Sequence, residues 1–124
     1  MNRTSIDKND ILKFTEVIYD TNKRLRKMVP EIAFAKTIID MASDRRKKLL
    51  AECIMKPLKD GMKGATAEHI ARATHEYAEG FKEQEEQLKS AYEIDFDWRR
   101  LNSKLDSTRS LLAVSRETLR NFQE

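Results

Sequence analysis

Four consecutive basic side chains, Arg45, Arg46, Lys47 and Lys48, make the densest run of positive charge in the sequence. Such groups can neutralise phosphates of a polyanion by charge-assisted hydrogen bonds. Four successive helical positions sweep about 300° around the axis, so the four cannot all face one ligand. A solvated face with salt-bridge partners is the competing reading of the run. Arg109, Arg116 and Arg120 stand seven and four apart, along one face of a helix. They could engage successive phosphates or equally pair with an acidic surface of a neighbouring subunit. Lys59 precedes, and Lys63 lies within, the glycine-containing stretch Asp60-Gly61-Met62-Lys63-Gly64-Ala65. That stretch is a mobile basic tip that could touch a phosphate backbone, or a plain connection between helices.

Other chemistry finds little support. The glycine-containing stretch lacks the GxxxxGK[ST] spacing and the preceding strand of a phosphate-cradling loop. His69 and His75, six apart, point to different faces of a helix and give poor geometry for one metal. No HExxH motif, paired cysteines or EF-hand loop accompanies them. Cys53 falls on an apolar face as a small buried hydrophobe. Acidic pairs such as Asp95 and Asp97 are ordinary on solvated helices. The expectation is a protein without enzymatic activity, cofactor or metal.

Charged residues make up 36% of the 124 and there are only three Gly and two Pro, which favours long solvated helices over a turn-rich β fold. The single cysteine excludes an internal disulfide framework and suits a reducing cytosol. The first ten residues lack the apolar core of a signal peptide, and no apolar run approaches the roughly 20 residues that cross a bilayer, so a cytoplasmic protein without a membrane partner is expected. Net charge is +3 but is unevenly spread. Residues 1–30, 31–63 and 99–124 are each +3, whereas residues 64–98 are −6. Basic ends around an acidic waist can guide a polyanion to one surface, or one subunit to the next.

The elements that must carry these groups are helical. Ile11, Phe14, Ile18, Leu25 and Met28 mark a first helix over about 5–28, starting near Thr4 or Ser5 with Asp7 in its first turn and ending at Arg24, Arg26 and Lys27. Pro30 interrupts. Ile32, Ala35, Ile38, Ile39, Ala42, Leu49, Cys53 and Ile54 mark a second helix over about 31–59, its apolar face widened by Phe34 and Met41. A loop over 60–66 leads, with Thr66 as N-cap, to a long helix over 67–122. Its stripe comprises Ile70, Tyr77, Phe81, Leu88, Ala91 and Trp98, then Leu101, Leu105, Leu112, Leu119 and Phe122. The phase slips by about one residue near 95–101, which alters supercoiling or breaks the helix. An unbroken helix of this length would span roughly 85 Å. Its stripe must be covered by a fold-back, by other helices, or by other copies of the chain. The expected fold is therefore all-α: two amphipathic helices and a long C-terminal one, assembled into a bundle by homo-oligomerisation. Tyr77, Phe81, Leu88, Trp98, Leu101, Leu105, Leu112 and Leu119 are the core or oligomer-interface residues. Trp98, with Tyr92 and Phe96 nearby, reads as core, with stacking on exposed bases as the alternative.

Two segments, DRRKKLLAECIMKPLKDG (Asp44 to Gly61) and LKSAYEIDFDWRRLNSKLDSTRSLL (Leu88 to Leu112), cover about a third of the chain. Their order and residue types resemble the UvsY-type recombination mediators of bacteriophages. The resemblance implies a ring-like homo-oligomer that binds single-stranded DNA, helps displace single-strand-binding protein and loads a strand-exchange recombinase. It implies DNA contacts at Arg45, Arg46, Lys47 and Lys48, and core or assembly roles for Trp98, Leu101, Leu105 and Leu112. Two other readings compete with it. One is a protein-interaction module, such as a phage-encoded inhibitor of a host protein, whose charged zones mate with protein surfaces. The other is a DNA mimic, for which only Glu76 to Glu93 has the required negative density while the overall balance is positive.

Overall fold

A computed structural model describes residues 8–123, which form three α-helices and no strand. These are α1 (Lys8–Lys59), α2 (Gly64–Arg72) and α3 (His75–Gln123). The chain divides into two compact units, the first Met1–Glu31 with Phe96–Glu124 and the second Ile32–Asp95. The chain is all-α, as its composition requires. The helix start expected at Thr4 or Ser5, and Asp7 with it, lies outside the described residues.

In the first unit, inward positions recur at alternating steps of three and four. On α1 they are Ile11, Phe14, Ile18, Thr21, Leu25 and Met28; on α3 they are Trp98, Leu101, Leu105, Thr108, Leu112, Ser115 and Leu119. This alternation is the spacing of a two-helix coiled-coil seam. Leu25, Leu101 and Leu105 form its buried centre, with Ile18, Met28 and Trp98 packed against them. Three hydroxyl residues, Thr21, Thr108 and Ser115, are buried in the same seam. The Thr108 hydroxyl donates to the Lys104 carbonyl at 2.7 Å, which offsets the cost of its burial. The stripe of α3 in this unit is thus covered by α1 of the same chain.

In the second unit, α2 buries Ala67 and Ala71, four apart on one face, where small side chains allow close approach. α1 ends on a Schellman motif: the Met62 amide donates to the Pro57 carbonyl at 3.0 Å and the Gly61 amide to the Leu58 carbonyl at 3.1 Å. Gly61 takes φ +89° there, a conformation that favours glycine. Gly80 on α3 has a different reason. A Cβ placed on it would lie 2.6 Å from Cδ1 of Leu49, so its missing side chain is the space the leucine fills. The atoms in the way are the terminal methyls of a flexible side chain, so Gly80→Val is expected to turn Leu49 aside and to change stability by no more than about 1 kcal/mol, measured by chemical denaturation.

Three expected boundaries are corrected. The helices foreseen over 5–28 and 31–59 are one helix, with Pro30 inside α1. An interior proline costs about 3 kcal/mol, and here inward side chains on both sides of it, Leu25 and Ile32 among them, hold the helix through. The loop foreseen over 60–66 is shorter, because α2 begins at Gly64 with Lys63 as its N-cap and Thr66 inside the helix. The long helix foreseen over 67–122 is interrupted at Ala73 and Thr74. The Thr74 hydroxyl donates to the Ala71 carbonyl at 2.7 Å and accepts from the Tyr77 amide at 3.2 Å, closing α2 and capping α3 with one side chain. Around 95–101, by contrast, α3 is continuous. Ile94 and Asp95 are both half-buried there, so the seam passes from one line of residues to the next without a break.

Candidate nucleic-acid interface

Folding collects charge differently from the sequence. The first unit joins the two basic ends and holds 13 basic and 9 acidic residues, net +4. The second joins the basic run to the acidic waist and holds 11 basic and 12 acidic residues, net −1. Positive potential therefore belongs to the first unit, and the second partly neutralises itself.

Contacts in the second unit show how. Arg46 forms an ion pair with Glu85, and its guanidinium lies over the Phe81 ring, 4.9 Å from the centroid. The Gln84 amide donates to the Arg45 carbonyl at 3.2 Å, and the Arg45 side chain is half-buried. Lys47 and Lys48 remain exposed. The run expected to meet phosphates is thus divided: the Arg46 guanidinium is paired within the chain, Arg45 is half-buried, and two lysines face solvent. Lys59 and Lys63 are exposed at the connection between α1 and α2.

In the first unit the arginines stay available. Arg109, Arg116 and Arg120 are all exposed on one face of α3. Arg120 Nη1 lies 3.6 Å from Glu117 Oε2, an exposed pair of small worth. Arg109 and Arg116 make no ion pair among the described residues. Arg24, Arg26 and Lys27 were expected beside terminal carbonyls at a helix end. Because α1 continues through Pro30, no helix end lies there, and all three are exposed. Tyr19 and Arg26, seven apart, share one exposed face of α1, and Tyr19 is 68% exposed.

The expected core residues lie on the seam to different depths. Leu101, Leu105 and Leu112 are buried; Tyr77, Leu88, Trp98 and Leu119 are half-buried; Phe81 is 36% exposed, its ring 6.1 Å from that of Tyr77. Trp98 packs on the leucine cluster, so its ring is engaged within the chain, while Tyr92 and Phe96 are exposed. Sequence reasoning missed Thr74, whose signal was a threonine three residues before Tyr77, and Gln84, a polar residue at a seam position.

Burial first, then the nearby Glu76 and Glu52 charges, push the Cys53 thiol above its ordinary value, and a hydrogen bond with Thr74 pulls the other way. The balance disfavours the thiolate, the form a nucleophile needs. His75 Nε2 is 3.7 Å from Glu79 Oε1, and His69 is exposed. Among the described residues no group of three or more His, Cys, Asp or Glu could hold a metal ion. Among the described residues no helix is long and apolar enough to cross a membrane. Neither a protein-family model, nor a curated protein, nor a solved structure matches this chain.

Proposed function

We propose that the chain is a non-enzymatic accessory of DNA recombination or replication, which binds single-stranded DNA as a homo-oligomer and helps load a recombinase in competition with single-strand-binding protein. The observation that carries the DNA part is the joining of the two basic ends in one unit of net +4, with Arg109 and Arg116 making no ion pair among the described residues and Tyr19 exposed on the α1 face that carries Arg26. Guanidinium groups neutralise phosphates while an exposed ring accepts any base face, a combination suited to single strands of any sequence. The recombination setting comes from the resemblance of Asp44 to Gly61 and Leu88 to Leu112 to the phage mediators. Lys47 and Lys48 extend the basic surface in this reading; Arg46 contributes less because its guanidinium is paired with Glu85, and Arg45 less because it is half-buried.

The test is binding of a fluorescent single-stranded oligonucleotide across a salt series. Each phosphate contact contributes about −0.7 to the slope of log affinity against log salt, so a slope of about −2 or steeper is expected. Binding indifferent to salt, or none at low salt, rejects the reading. A helical protein-interaction module is the second reading, favoured by the exposed Phe34 and Met41 on α1. It predicts a defined protein complex and no oligonucleotide binding.

A further inference from the structure

The second unit carries a groove of about 290 Å³ that its own helices leave open. Phe34, Ile38, Ala91 and Ile94 give it an apolar floor, and Glu83 and Glu86 stand on its α3 wall. Phe34 is 68% exposed, a large apolar surface that no described residue covers. The first unit carries the matching surface. Arg100, Lys104, Leu111 and Val114 follow one another on α3 at steps of four, seven and three, along one line of the helix. All four are exposed. Among the described residues Arg100 pairs with Asp97 alone, at 3.7 Å, and both side chains are exposed.

Spacing relates the two surfaces as well as sign. Glu83 precedes Ile94 by 11 residues, and Arg100 precedes Leu111 by the same 11. At 1.5 Å per residue both separations are about 16 Å. We propose that this groove receives residues 100–114 of a second copy of the chain, lying parallel to α3. Arg100 and Lys104 of the entering segment meet Glu83 and Glu86, and its Leu111 and Val114 cover Phe34 and Ile94. The opposite charges at one end set direction and register, and the apolar pairs at the other supply the burial. Donor and acceptor are different surfaces of one chain, so the contact is heterologous and propagates to a ring or a filament. The proposal rests on the homo-oligomer in the reading above and assigns its interface, leaving Arg109, Arg116 and Arg120, on another face of α3, open to DNA.

The test uses two full-length variants at exposed positions, checked for helicity by circular dichroism. One carries Phe34→Glu in the groove; the other carries Leu111→Glu and Val114→Glu in the entering segment. By light scattering the wild type is expected to form assemblies and each variant alone to remain at the 14.5 kDa chain mass. Their equimolar mixture is expected to reach twice that mass, because one intact groove then meets one intact segment. A monomeric wild type, a variant that still assembles alone, or a mixture that stays monomeric overturns the proposal. Oligonucleotide binding is read in parallel on the same samples. Loss of DNA binding with the mixing pattern intact would remove the DNA reading alone, and salt-dependent DNA binding without the mixing pattern would remove the interface alone.

Discussion

Changing Arg109, Arg116 and Arg120 together to glutamate is expected to lower affinity for a single-stranded oligonucleotide by about 100-fold or more at 0.1 M salt. Each phosphate contact carries about 0.7 in the logarithmic salt slope, and three lost contacts give about two decades at that salt concentration. The slope itself should become shallower by about two, which separates lost phosphate contacts from unfolding. All three side chains are exposed, so helicity and denaturation midpoint should change little. The comparison variant replaces Arg46 and Glu85 by glutamine. That pair is already engaged within the chain, so its loss should leave the slope nearly unchanged. A triple variant that binds as the wild type does would take DNA off this face of α3.

Leu101→Ala is expected to destabilise the protein by about 2–5 kcal/mol, read as a lower denaturant midpoint at unchanged slope. Leu101 is 1% exposed, and it lies in the cluster with Leu25 and Leu105 where α1 and α3 meet in the first unit. Truncation removes the buried methyl groups and leaves a cavity that two regular helices cannot close by local collapse. Leu111→Ala, ten residues further along the same helix and 52% exposed, should cost no more than about 0.5 kcal/mol in a monomer. Equal losses at the two positions would mean that the seam does not run where the burial pattern puts it.

Much of this seam was legible in the residue types. Leu101, Leu105, Leu112 and Leu119 stand at coiled-coil steps, and a helix that long must be covered along them. The hydroxyl residues between them, Thr108 and Ser115, were less legible as seam because polarity there matches that of a solvated face. Helix limits were misread where local preference and packing conflict. Pro30 disfavours a helix by itself, yet inward residues on both sides of it outweigh that preference. Thr74 ends and starts helices through a single hydroxyl, a role that composition alone does not distinguish from surface polarity. At the candidate site, the basic run from Arg45 to Lys48 was conspicuous, but its division was not. Which arginine meets Glu85 depends on the alignment of residues some 40 apart in sequence, and no local rule fixes that. The convergence of the two basic ends had the same origin: charge counts along the chain were plain, while their addition in one unit needed the fold.

The buried sulfur of Cys53 gives the molecule a built-in clock. An alkylating reagent attacks only the ionised, reachable form, and the packed second unit withholds both conditions. The rate of labelling under native conditions thus counts how often the surroundings of this one atom come apart, with no probe introduced. Because the chain has no other cysteine, mass spectrometry of the intact protein would follow that breathing directly, with and without an oligonucleotide bound.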